Sequence, residues 1–173
     1  MESYLKGTKE NGLIFGKDNG SGIKAYSDSD WAGCRQDRKS ISGGAVFVYG
    51  NLVSWFSRKQ TCVALSSTEA EYVAASLVAT EVVSIKNVVQ EMVKEELKPK
   101  LLIDNQGAIS LAHTFENKRS KHIDLRYHFI RDIVKKNILT TEYVPTDCNV
   151  ADGLTKALGA TKFLDIVEKL KLK

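Results

Sequence analysis

The stretch Leu101-Leu102-Ile103-Asp104 decides the fold. Three apolar residues in a row, with no polar alternation, describe a strand buried on both faces, as in parallel pairing. An aspartate closes it, and a helix follows from Asn105 to about His113. Ahead of it, Ser66-Ser67-Thr68-Glu69-Ala70-Glu71 is a helix start. Ser67 and Thr68 with Ala70 and Glu71 fit a capping box, and the helical pattern runs to about Glu95 before Pro99 ends it. Further upstream, Ile23–Asp30 reads as a strand. Gly43–Tyr49 and Leu52–Ser57 are two more, split by the hairpin signal Gly50-Asn51. Downstream, Lys121–Lys136 places Ile123, Tyr127, Ile130 and Val134 on one helical face; Thr140–Val144 alternates as a strand; Asn149–Leu158 and Thr161–Leu170 are short helices. This order predicts an α/β domain: a five-stranded mixed sheet with helices on both faces, its first and fourth strands parallel with their C-terminal ends side by side.

Composition agrees with one globular domain. The chain has 173 residues, 43% hydrophobic and 27% charged, with 12 Gly and 2 Pro, which excludes disordered and collagenous classes. The richest apolar stretch, Ala74–Val89, is interrupted by Glu81 and Lys86, so no membrane partner is expected. Cys34, Cys62 and Cys148 are odd in number and form no CxxC, which argues against a disulfide framework or a zinc site. A net charge of +4 permits a polyanionic partner without demanding one. Residues 1–22, turn-rich around Leu13-Ile14-Phe15, read as an N-terminal extension to a domain spanning 23–173; the apolar triplet has the look of an edge strand or the remnant of a preceding element.

The chemistry lies in the carboxylates. Asp28 and Asp104 sit at the C-terminal ends of the first and fourth strands, the edge where open α/β sheets hold their sites. A strand-end Asp is more often a loop residue or N-cap. Glu69 and Glu71 point about 200° apart on a helix. Glu71 shares its face with Ala74, Ala75, Val78, Val82, Ile85, Val89 and Met92, whereas Glu69 shares the more polar one with Tyr72, Ser76 and Thr80. A carboxylate on an apolar face is costly unless paired or metal-bound, although Glu71 could equally ion-pair at the helix end. Asp152 is readable as a dipole-stabilised first-turn acid or as a fourth member. An all-carboxylate cluster suits Mg²⁺ or Mn²⁺, and two such ions serve in-line phosphodiester cleavage.

Taken together, Tyr26–Gly33, Asp37–Ser40, Val63–Tyr72, Asp104–Ile109, Lys121–Arg131, Tyr143–Thr146 and Ala151–Lys156 resemble, in order, the ribonuclease H domain of copia-type LTR retrotransposon polyproteins. Tyr4–Thr8 resembles the tail of the reverse transcriptase region that precedes it, so the Met start suggests an excised or shortened piece. The resemblance implies the ribonuclease H-like fold and metal-dependent hydrolysis of the RNA strand of RNA/DNA hybrids during reverse transcription. It matches the four acidic ligands to Asp28, Glu71, Asp104 and Asp152, with Asp28 bridging two Mg²⁺ ions (Mn²⁺ a substitute). Glu71 and Asp104 then hold the ion on the 3′-oxygen side, and Asp152 the ion that activates water. Arg58, Lys59, Gln60, Ser66, Ser67, Thr68 and Gln106 resemble hybrid-contacting positions, and Lys121 and Arg126 head a basic helix edge that could track phosphates. Ser67 and Thr68 compete for the capping role. The chain departs from the family in three places: Pro145–Asn149 lacks the mobile His that many cellular members carry before the last Asp, Lys156-Ala157-Leu158 stands where the family has Lys-Pro-Leu, and the basic protruding helix is missing. The implied partners are the hybrid and the reverse transcriptase domain of the same polyprotein, in a cytoplasmic retrotransposon particle or the nucleus. The competing reading is a non-catalytic hybrid-binding or polymerase-supporting module on the same fold.

Overall fold

The computed structural model describes residues 6–17, 20–114 and 129–172. Five strands form one mixed sheet in the order β3-β2-β1-β4-β5. They are β1 (Ile23–Asp30), β2 (Ile41–Val48), β3 (Asn51–Lys59), β4 (Lys100–Ile103) and β5 (Thr140–Tyr143). The first three form an antiparallel meander, while β4 runs parallel to both β1 and β5. The register Ser27↔Ile103 brings Asp28 and Asp104, each one residue further on, to the same edge of the parallel pair.

The hairpin turn lies one residue earlier than the sequence suggests. Val48 pairs with Asn51, so the two-residue loop is Tyr49-Gly50, with φ of 47° and 75°. Both positions are left-handed, as a turn that follows the strand twist requires, and the non-glycine Tyr49 conceals the signal. Leu13-Ile14-Phe15 does not join the sheet edge. Leu13 forms a single antiparallel bridge with Leu172, and the Ile14 amide donates to the Lys171 carbonyl at 3.1 Å.

Four helices are described: α1 (Ser67–Val93), α2 (Gln106–His113), α3 (Phe129–Lys135) and α4 (Ala160–Lys169). The expected Lys121–Lys136 helix is described only from Phe129. Strand alternation sorts the core into two layers. Ile23, Ala25 and Val46 face α1, α2 and α3, meeting Val73, Val78, Ala108, Ile130 and Ile133. Ala45, Phe47 and Leu52 face the other way, onto Val150, Ile166 and Leu170 of a 3-10 turn (Val150–Leu154) and α4. That turn was expected as a longer helix over Asn149–Leu158.

Helix α1 is long and apolar enough to cross a membrane by length and composition alone. Its first half is instead enclosed: Ala70 through Ser76, Val78, Ala79 and Val82 are buried. The expected division into an apolar and a polar face therefore fails at this end. Tyr72 and Ser76 are as buried as Glu71, because the sheet covers one side and α2 and α3 the other, with the Arg131 guanidinium 5.4 Å from the Tyr72 ring centroid. At the far end the helix outruns its cover, and Met92, expected on the apolar stripe, is 77% exposed.

The N-cap also differs. Ser66, not Ser67 or Thr68, caps α1, its hydroxyl accepting from the Glu69 amide at 3.1 Å, while Glu69 Oε2 accepts from the Leu65 amide at 2.9 Å. Glu71 is drawn to the sheet edge and Glu69 takes the reciprocal acid's role, one position off the usual box.

Candidate active site

Three elements deliver three carboxylates to one point. Asp28 comes from the C-terminal half of β1, Glu71 from the first turns of α1, and Asp104 from the residue after β4. One carboxylate oxygen from each lies within 4.8 Å of the other two. Opposed oxygens across a cation with bonds of about 2.1 Å sit at roughly this separation. Asp28 and Glu71 are buried and Asp104 is half-buried.

Each carboxylate has its own support. The Ser29 amide and hydroxyl both donate to Glu71 Oε1, at 3.0 and 2.9 Å. The other oxygen, Glu71 Oε2, is buried with no hydrogen-bond partner among the described residues. Asp28 accepts a hydrogen bond from the Thr155 hydroxyl. Asn149 fixes the turn that carries Thr155: its side-chain amide donates to the Ser27 carbonyl at 2.9 Å, and its Oδ1 accepts from the Ala151 amide at 3.1 Å. Gly43 allows the turn to sit this close, since a Cβ there would lie 2.7 Å from Thr155 Cγ2.

The electrostatics follow from this crowding. Burial, reinforced by the charges of Asp28 and Asp104, pushes Glu71 up to about 8. Burial also raises Asp28 to about 6, with Asp104 and Asp152 adding to the rise and the Thr155 hydrogen bond opposing it. A like-charged, desolvated cluster of this kind is unfavourable on its own and becomes favourable around a cation.

Asp152 has different company. Its side chain is fully buried, and Lys156 Nζ lies 2.5 Å from Oδ1 while Lys162 Nζ lies 2.9 Å from Oδ2. Burial pushes this carboxyl up, but the two ammonium groups outweigh it and hold it below the usual carboxylate range. The field of Lys156 also reaches Asp28.

The expected substrate-contacting residues are dispersed. The Ser66 hydroxyl is used as the α1 cap. Ser67 and Gln106 are exposed at the starts of α1 and α2, and the two helix starts touch: a Cβ at Gly107 would lie 2.9 Å from Thr68 Cγ2. Arg58 and Lys59 lie exposed at the end of β3. There Lys59 pairs with Asp37 at 3.0 Å and Arg58 stacks 5.6 Å from the Phe56 ring centroid. Lys121 and Arg126 lie outside the described residues.

Sequence reasoning passed over Ser29, Thr155, Lys156 and Lys162. Ser29 adjoins Asp28, and Thr155 and Lys156 lie three and four residues beyond Asp152, so proximity within the quoted stretches is a usable signal for these. Lys162 reaches Asp152 only through the packing of α4. Gln60, expected beside Arg58 and Lys59 as a hybrid-contacting position, is instead buried: it donates to Ser42 Oγ and the Ala70 carbonyl, both at 2.9 Å, tying β2 to the start of α1.

No protein-family model matches the chain. Its sequence is 40% identical over 161 residues to the retrovirus-related Pol polyprotein from transposon TNT 1-94 of Nicotiana tabacum, covering 92% of this chain and 12% of that polyprotein. It is 38% identical over 169 residues to the Pol polyprotein from transposon RE1 of Arabidopsis thaliana, covering 96% of this chain and again 12% of the relative. The chain thus spans about an eighth of the length of these relatives. Among solved structures, LC11-RNase H1 from compost superposes with a TM-score of 0.57 at 17% identity, covering 79% of this chain and 93% of that one. The N-terminal RNase H domain of rv2228c from Mycobacterium tuberculosis gives 0.53 at 14% identity, covering 84% and 97%. The chain has a ribonuclease H fold, and its homologues are the retrovirus-related Pol polyproteins of copia-type transposons.

Proposed function

We propose that this chain is a divalent-metal-dependent endonuclease that hydrolyses the RNA strand of RNA/DNA hybrids within a retrotransposon polyprotein. One observation carries this reading: the convergence of Asp28, Glu71 and Asp104 within 4.8 Å, with Glu71 Oε2 buried and unpartnered. An all-oxygen donor set with an orphaned buried carboxylate oxygen fits Mg²⁺ or Mn²⁺ and suits no softer metal better.

Asp28, Glu71 and Asp104 would hold the ions, with Asp152 as a fourth acid. When bound, divalent cations supply a nucleophile at neutral pH and stabilise charge on the scissile phosphate. The chain's own residues perform the rest. Ser29 fixes the rotamer of Glu71, and Thr155 orients Asp28. Lys156 and Lys162 keep Asp152 ionised and bring fixed positive charge to a site that must admit a phosphate. The starts of α1 and α2, with exposed Ser67 and Gln106 and half-buried Thr68, would meet the sugar-phosphate backbone and 2′-hydroxyls of a hybrid. The reverse transcriptase region of the same polyprotein is the proposed covalent partner, and the retrotransposon particle the proposed setting.

The test is single-turnover cleavage of an end-labelled RNA/DNA hybrid across a Mg²⁺ and Mn²⁺ titration, beside Asp104→Asn. Cleavage that requires metal and falls at least about 100-fold in the variant supports the reading. Hybrid binding without cleavage at any metal concentration favours the competing non-catalytic module and overturns it.

A further inference from the structure

A second basic site lies at the opposite end of the β1–β4 pair from the carboxylates. It is a cavity of about 870 Å³, within the range of small-molecule sites, on the sheet face that packs against α4. Lys24, Lys98, Lys100 and Lys169 line it, and the aromatic pair Tyr26 and Phe47 provides an apolar wall, their rings edge-to-face with centroids 5.8 Å apart. The 3-10 turn carrying Asp152 and the Asn149 anchor packs over the sheet next to it. The cavity is therefore distinct from the carboxylate cluster, although Lys24, Tyr26 and Asp28 share one face of β1.

The placement of the lysines makes little sense for folding alone. Lys24 and Lys100 are register partners on adjacent parallel strands about 4.8 Å apart, so two ammonium side chains rise from neighbouring points on the same face. Like charges so paired are destabilising. Glu142 answers Lys100 at 2.7 Å and Asp165 answers Lys169 at 2.7 Å. Among the described residues, Lys24 and Lys98 have no ion-pair partner. Lys24 lies instead 5.9 Å from the Tyr26 ring centroid. Two uncompensated cations at the rim of an aromatic-walled cavity call for an anion that also carries a flat apolar group.

We propose that this cavity binds a nucleoside phosphate, the phosphate held by Lys24 and Lys98 and the base set against the Tyr26–Phe47 wall. Two sources share that chemistry, a free nucleotide and one unit of a single nucleic-acid strand. The volume exceeds what inorganic phosphate needs and admits a nucleotide. The site is independent of the nuclease reading and stands or falls without it.

The experiment uses the whole chain in EDTA, which silences the carboxylate cluster. Adenosine monophosphate is titrated by ¹⁵N–¹H correlation spectra, and a fluorescein-labelled single-stranded DNA 12-mer by anisotropy, against wild type and Lys24→Gln/Lys98→Gln. Cys148, exposed at the rim, gives a second readout through its rate of maleimide labelling. Saturable shifts at Gly22, Ile23, Tyr26 and Val150, slower Cys148 labelling and a tenfold or greater loss of affinity in the double variant support the proposal. Binding of the mononucleotide identifies the free-nucleotide source, and binding of the 12-mer alone identifies the strand. Absence of saturable binding by either, or binding unchanged in a double variant whose spectrum shows it folded, overturns it. Cleavage by the double variant at saturating hybrid stays within about twofold of wild type, which separates this outcome from failure of the nuclease reading.

Discussion

Glu71 and Asp28 retain protons more tightly in the folded chain than in the unfolded one, because burial disfavours their ionised forms and neighbouring carboxylates add to it, Asp28 and Asp104 at Glu71, Asp104 and Asp152 at Asp28. The folded protein therefore binds more protons than the unfolded one from about pH 4 upward. The associated stability is whole below the unfolded values and is lost as pH rises through about 6 for Asp28 and about 8 for Glu71. Thermal melts without metal are expected to fall by about 5 °C or more between pH 5 and pH 8.5. Glu71→Gln flattens the upper part of that fall, and Mg²⁺ at pH 8.5 reverses it by binding the ionised form. A melting temperature that rises across this interval contradicts the arrangement. Gly43 tests the same site from outside. Gly43→Ala forces Thr155 away from the sheet and its hydroxyl off Asp28, which should weaken Mn²⁺ affinity about 10- to 100-fold by calorimetry. An unchanged affinity would mean that Thr155 does not orient Asp28. Asp28, Glu71 and Asp104 stood out in the sequence because each ends or begins a periodic element. The lysines around Asp152 did not, since an exposed-looking Lys at 156 or 162 is indistinguishable by pattern from an ordinary surface charge.

Helix α1 shows what periodicity reads and what it misses. Its extent was legible to within two residues, because Ser66 and Pro99 bracket a long run without breakers. Its faces were not. A helix covered on one side by a sheet and on the other by α2 and α3 has no outward face to mark, and Tyr72 and Ser76 pass as polar while lying fully inside. The start was misassigned because four hydroxyl or acidic residues in succession offer several caps, and only the competing demand on Glu71 selects Ser66. Ser66→Ala is expected to cost about 1 kcal/mol in urea denaturation, with Ser67→Ala near neutral. The reverse order would return the cap to Ser67. The β2–β3 hairpin teaches the same lesson in strands: Gly50 marks a turn, but whether it is the first or second loop residue depends on the register, which Val48↔Asn51 fixes.

At the scale of the molecule, the segment before the sheet is bound into the second core layer. Leu13 and Leu172 pack against the core layer that contains Phe47, Leu52 and Ile166, and Gly16 exchanges hydrogen bonds of 2.9 and 3.1 Å with Asn51. Removing residues 1–17 is expected to lower stability by about 1–3 kcal/mol in chemical denaturation, through exposure of this layer. It should leave hybrid cleavage at 25 °C nearly intact, because the carboxylates lie at the other end of the sheet. A truncation as stable as the full chain would make the segment a passive linker. The mixed sheet and the parallel β1–β4 pair were readable from the elements alone, whereas the place of β5 beside β4 and this closure were not, since a lone backbone bridge has no periodicity.

The bridge between Leu13 and Leu172 also sets these two distant points of the chain side by side. A fold so closed can be rewired: a short peptide joining residue 172 to residue 13, with new ends opened at Tyr49-Gly50, would give a circular permutant whose strands keep their neighbours. Equally, the whole unit can be spliced into a surface loop of an unrelated host without pulling that loop apart.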